Sequence, residues 1–184
     1  MSLELHNAER ILDQLRSGND IRVVPYHCLL SDINGMDDYD FLQRLQKSFN
    51  IRVARDAADA RPSAQREFGL YLAGYWYHMT AIAGTWCFSD PVKDLDVSIL
   101  RDNMLNPVLG IEDCTKPGKR LDYIDGDQPL QVLSELVDAG RYEAALVLFA
   151  PSIECLTSIA ELGRSMPAFS FAIQTESDRF VHLS

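Results

Sequence analysis

This sequence has no C-x-x-C pair, no two adjacent histidines, and no glycine-rich loop carrying a phosphate-binding lysine. The first absence, with no histidine pair near any of Cys28, Cys87, Cys114 or Cys155, removes the usual framework of a zinc site. The third removes the P-loop nucleotide binders, because "GLYLAG" reads as a strand and a turn with no lysine and no helix after it. A G-x-S-x-G elbow, an H-E-x-x-H pair and a paired-carboxylate motif are missing too. No apolar run is long enough to span a bilayer, and the opening "MSLELHNAER" is too polar for a secretory signal. Positive charge is scarce: 17 Lys and Arg stand against 27 Asp and Glu, a net charge of -10 that disfavours nucleic acid and anionic membrane surfaces as partners. The expectation is a cytoplasmic protein with reduced cysteines, no metal and no cofactor.

The 184 residues, 47% of them hydrophobic, suffice for one domain with its own core and show no low-complexity tract, internal repeat or linker. Leu5, Ala8, Ile11, Leu12 and Leu15 share one face of a helix predicted over 4–17. "IRVVPYHCLL" reads as a strand, with Pro25 marking a bulge or an edge. "SDINGMDDYD" is a turn leading to a helix with Phe41, Leu42, Leu45 and Phe49 on one side. "IRVAR" is a short strand and 56–66 a polar loop; across and beside them Arg52, Arg55, Arg61 and Arg66 mix with Asp56, Asp59 and Glu67, as on a solvated mixed-charge surface. "FGLYLAGYWYHM" is two strands joined at Ala73-Gly74.

Farther on, "DVSILRDNMLNPVLG" is a helix with Val97, Leu100 and Met104 inward, ended or bent by Pro107. "LDYI" is a strand. Asp127 caps the next helix and Gly140 closes it. "AALVLF" is apolar enough to be a central, buried strand. Ser152 caps a helix with Ile153, Leu156 and Ile159 inward, which Gly163 ends, and 168–173 and 179–182 are strands. Hairpins mixed with strand–helix–strand units predict an α+β fold: a single domain with a mixed β-sheet and packed helices.

Candidate chemistry is sparse. His27 and Cys28 are adjacent on a strand, so they point to opposite faces and form no nucleophile–base pair. Cys28 then reads as a small core residue. "DINGMDDYD" lacks the glycine position and closing glutamate of a calcium loop, and Asp37 or Asp38 capping the next helix explains it. Tyr75, Trp76, Tyr77 and the nearby Trp86 are interaction candidates, although alternation sends half of such a strand inward.

Five segments, in order, carry a resemblance: "VVPYHCLL", "FGLYLAGYWYHM", "LDVSILRDNMLNPVLGIED", "YIDGD" and "LVDAGRYEAALVLFAPSIECLTSIAELGRSMP". Together they resemble the C-terminal part of an uncharacterised prokaryotic family, domain of unknown function 1015, from about residue 21 onward. Full-length members are about twice as long. Upstream they carry an Ala-Asp-Gly-His-His-Arg segment similar to the nucleotide-site motif of the superfamily that includes free-serine kinases, and these 184 residues contain no such segment. Where the family continues Met-Pro-Pro-Lys-Ser-Thr, this chain keeps Met166, Pro167 and Ser170 but has Ala168 and Phe169 for the Pro-Lys pair, and an acid near the later lysine position, Glu176. Losing those lysines removes charge-assisted bonds to an anion. The resemblance thus implies a catalytically silent relative acting through protein association, as a homo-oligomer or with a separate protein partner. The alternative it implies is a divergent phosphoryl-transfer enzyme whose residual site uses Arg164, Ser165, Ser170 and His78.

Overall fold

The computed structural model describes residues 13, 21–114, 116–175 and 178–181. Apart from Asp13, the helix expected over 4–17 lies outside the described residues. The strands are β1 (Ile21–Leu30), β2 (Phe49–Val53), β3 (Glu67–Leu72), β4 (Tyr75–Ala81), β5 (Leu121–Asp125), β6 (Ala144–Val147), β7 (Phe171–Thr175) and β8 (Asp178–Val181). They form one sheet in the order β2-β4-β3-β6-β1-β7-β8, with β5 also paired to β1. The helices are α1 (Asp38–Leu45), α2 (Ala57–Ala60), α3 (Asp96–Leu100), α4 (Leu130–Asp138) and α5 (Ile153–Glu161), and α3 runs on into a π-helical turn at Arg101–Leu105.

The expected α+β class is the observed one, but each ladder is antiparallel where a mixed sheet was expected. The reason lies in β1. The strands β5, β6 and β7 all run antiparallel to β1 and therefore parallel to one another, yet each pairs with β1 instead of with its successor. Strand–helix–strand units are present, then, without parallel ladders among the described residues. Pro25 sits where β1 changes partners, between the stretch paired with β7 and the stretch paired with β5. Its carbonyl accepts the Gly126 N–H at 2.9 Å. A Cβ on Gly126 would lie 2.3 Å from that oxygen and 2.9 Å from the proline ring, so only glycine fits this crossing.

Side-chain alternation divides the core between the two faces of the sheet. On one face Cys28, Leu30, Phe68, Leu70, Leu72, Met79 and Leu146 pack with α1, α3 and the π turn. Phe49 and Phe68 meet there edge to face at 5.7 Å. On the other face Leu29, Tyr71, Ala145 and Val147 pack with Leu130 and Leu133 of α4. All of β6 is buried, as its continuous apolar run requires.

Local signals for helix ends and turns hold in most places. Asp37 and Ser152 accept the Asp40 and Cys155 N–H groups as N-caps. Ala73 and Gly74, at φ 51 and 82, make the β3–β4 turn. Gly163, at φ 62, ends α5.

Other expectations are corrected. The 56–66 stretch contains α2, capped by Asp56. Phe49 is not on the α1 helix but opens β2, fully buried. Ile153, the first residue of α5, is exposed, and the helix buries Leu156, Ile159 and Ala160. Asp127 does not cap α4; it pairs with Arg22 at 3.1 Å and accepts from Gln174, while Pro129 occupies the cap position. Phe169 is outside the last strands: at φ 55 it leaves extended backbone, and its ring stacks on Tyr123 at 4.3 Å. β7 therefore begins at Phe171, not at Ala168.

Candidate functional site

The chemistry of this chain gathers around the start of α3. "LDVSIL" is apolar except for Asp96 and Ser98, and the packing that buries Leu95, Ile99 and Leu100 carries both polar residues in with them. Asp96 is only 6% exposed. Its Oδ1 accepts the backbone N–H of Arg66 at 2.8 Å. Its Oδ2 has no hydrogen-bond partner, and neither does Ser98 Oγ. Burial pushes the Asp96 carboxyl up to about 7, with the neighbouring Asp94 adding to the rise and the Arg66 and Phe149 backbones and the Arg66 charge opposing it.

Arg66 is the organiser. It adopts φ 70, a left-handed backbone that a residue with a long side chain rarely takes. In this conformation its N–H meets Asp96, and its carbonyl accepts the Ala81 N–H at 2.9 Å. The guanidinium grips Asp94 with bonds of 2.8 and 2.9 Å from Nη2. The same group lies 4.8 Å from the Trp86 ring and 4.4 Å from the Phe88 ring. A π-helical turn directly after α3 adds a second departure from regular geometry at the same place.

Beside Asp96 is a cavity of about 10 Å³, room for one water, lined by Gln65, Leu148, Phe149, Pro151 and Ser170 among others. Ser170 is buried and donates its hydroxyl to the Pro167 carbonyl. Arg164 reaches Asp90 at 3.3 Å, on the loop that leads into α3. Ser165, next to Arg164, is exposed. Of the residues expected from the sequence, Ser170, Arg164 and Trp86 thus border one segment, 86–98.

His78 is not with them. It projects from β4 on the same face as Trp76, opposite Tyr77 and Met79, and its Nε2 lies 3.5 Å from Glu67. Trp76 packs on Tyr71 at 4.8 Å between ring centroids, and Tyr77 packs against the core. Tyr75 stays in solvent, 62% exposed. Two further apolar side chains are exposed, Tyr39 at 69% and Val53 at 65%. Val53 is in register with Tyr77, and the charges of Asp38 and Tyr75 act on the Tyr77 phenol, so the start of α1, the end of β2 and the start of β4 are neighbours.

His27 and Cys28 form no dyad. Burial pushes the His27 imidazole down to about 4, with Arg61 adding to the fall, and the Leu148 N–H binds its Nδ1 at 3.3 Å. Burial pushes the Cys28 thiol up to about 12. Among the described residues no group of three His, Cys, Asp or Glu side chains is placed to hold a metal ion, and no helix is long and apolar enough to cross a membrane. Asp96, Asp94 and the role of Arg66 were missed by sequence reasoning. The available signal was an acid embedded in the apolar run "LDVSIL".

Fold and site together define an α+β domain on one antiparallel sheet, with a buried acid held by a strained arginine. The sequence matches the family described as "Protein of unknown function (DUF1015)" over residues 3–98, a little over half of the chain, and the protein belongs to that family. No curated protein matches it. Solved structures to which it is similar include a free serine kinase in complex with AMP, 16% identical with a TM-score of 0.46, the match covering 86% of this chain and 56% of that one. Another is a conserved hypothetical protein from Pyrococcus furiosus, 11% identical with a TM-score of 0.49, the match covering 85% of this chain and 57% of that one. This chain therefore spans a little over half the length of the solved chains it matches.

Proposed function

We propose that this chain works by associating with another protein chain and performs no catalysis of its own. The observation that carries this reading is the exposure of Tyr39, Val53 and Tyr75, by 69, 65 and 62%, on three neighbouring elements at the side of the sheet that β2 ends among the described residues. An edge strand offers unpaired backbone groups, and adjoining apolar side chains add area that favours contact with a partner. The absence of catalysis is supported by how the candidate ligand groups are spent: Ser170 on Pro167, Arg164 on Asp90 and His78 on Glu67.

Sedimentation equilibrium over a wide concentration range tests the association, with a second copy as the first partner to examine. The expected result is a reversible oligomer that Val53→Lys weakens at least tenfold. A strict monomer with no co-purifying partner overturns the reading. Thermal-shift measurements with nucleotides, serine and phosphoserine test the other half, because a ligand that binds the folded state raises Tm. No response is expected, and a rise in Tm with any of them overturns the claim of silence.

A further inference from the structure

We propose that Asp96 and the cavity beside it form a proton-binding site that latches α3 to the strained Arg66 backbone, closed when the carboxyl holds a proton and loosened when it does not. The case begins with hydrogen-bond inventory. An ionised carboxylate only accepts, whereas the acid form also donates. Asp96 Oδ1 already accepts from Arg66, and Oδ2, without a partner in the protein, borders a space the size of one water that Gln65 and Ser170 also line. A proton on Oδ2 supplies a donor toward that space and removes a buried charge that is offset in part by the Arg66 and Phe149 backbones and by an Arg66 guanidinium already shared with Asp94.

The surrounding charges point the same way. On its own segment Asp94 is negative and close enough to raise the Asp96 carboxyl. From the start of β3, the Arg66 guanidinium is held bidentately by Asp94, so that pair is close to neutral. From α5, Cys155 faces both acids, and its thiol is pushed up by burial, then by Asp94 and Asp96. From the 164–170 loop, Ser170 is uncharged and Arg164 is engaged by Asp90. Among the described residues no unspent cation faces Asp96, and the shift of its carboxyl to about 7 agrees with the geometry.

Arg66 is the element such a switch would move. Its left-handed backbone persists only while its surroundings hold it, and the 2.8 Å bond to Asp96 is one of those holds. Ionising a buried carboxyl beside Asp94 favours its escape to water, and that escape releases Arg66, which in turn carries Asp94, Trp86 and Phe88.

The test is a carboxyl-carbon NMR titration of Asp96 in the full chain, followed alongside Trp86 fluorescence in a Trp76→Phe background, where Trp86 is the sole tryptophan. Both signals are expected to titrate together near neutrality. Asp94→Asn should move the midpoint to lower pH, because it removes a negative neighbour and frees the Arg66 cation. Asp96→Asn, which keeps an acceptor and adds donors, should flatten the Trp86 response. Titration of Asp96 below pH 5 overturns the proposal, and so does a Trp86 transition that survives in Asp96→Asn. The wild-type carboxyl titration decides the matter even if a variant fails to fold.

Discussion

Replacing Gly126 by alanine adds one methyl group at the crossing of β1 and β5. The Cβ would stand 2.3 Å from the Pro25 carbonyl oxygen and 2.9 Å from both Cδ and Cγ of the proline ring. None of these is the free end of a flexible side chain, so relief requires the two backbones to separate by roughly an ångström to reach ordinary contact distance. That separation breaks the 2.9 Å bond from Gly126 N to Pro25 O and strains the adjoining Tyr26–Asp125 pairing. The lost bond costs about 1 kcal/mol and the overpacking about 1–3, giving roughly 2–4 kcal/mol in all. Gly126 is not among the positive-φ residues, so the loss is steric and not conformational.

Gly118 provides the control, because it too lacks a positive φ and a Cβ there meets nothing within 4 Å. Gly118→Ala should stay within about 0.5 kcal/mol of wild type or gain slightly. With a urea slope of about 2 kcal/mol per molar, Gly126→Ala should lower the unfolding midpoint by about 1–2 M at unchanged slope. A Gly126→Ala protein with wild-type stability would refute the reasoning.

Two other predictions concern ionisation. Hydrogen bonding to Ser89 holds the Cys87 thiol below its ordinary value, whereas burial raises Cys28, Cys114 and Cys155, so iodoacetamide labelling of the native chain read by mass spectrometry should find Cys87 modified first and Cys28 last. The Arg120 hydrogen bond holds the Asp32 carboxyl below its ordinary value of 3.8, so the pair's contribution is present above that value and is lost as pH falls through the depressed one. Urea unfolding of wild type and Arg120→Met should therefore differ more at pH 5 than in strong acid, the ion-pair part amounting to about 1 kcal/mol or less for so exposed a pair and the Arg120 bond to the Leu109 carbonyl remaining at both.

Where the expectations failed, a distant group had outbid a local one. Asp127 has the residue type and position of an N-cap, but Arg22 and Gln174, from β1 and β7, take its carboxylate. Phe169 alternates correctly with Phe171 and Ile173, but stacking on Tyr123 holds it in a turn. Trp76 and Tyr77 are interaction candidates in the sequence, and the two faces of the sheet divide them between two cores. At the candidate site, Arg164, Ser170 and Trp86 were legible through their residue types and family positions. Asp96 was not, since its ionisation depends on burial and on charges contributed by other elements.

By itself the sequence determined what is local: the Asp37 and Ser152 caps, the Ala73-Gly74 turn, the Gly163 stop, and the apolar run that had to become the buried β6. These follow from hydrogen bonds and backbone angles within a few residues. Only the tertiary structure decided that β1 takes three partners, that the ladders among the described residues are all antiparallel, and that an acid beside the strained Arg66 backbone keeps one oxygen unpaired in the interior. Those outcomes depend on which groups long-range packing brings together and on how much water it leaves between them.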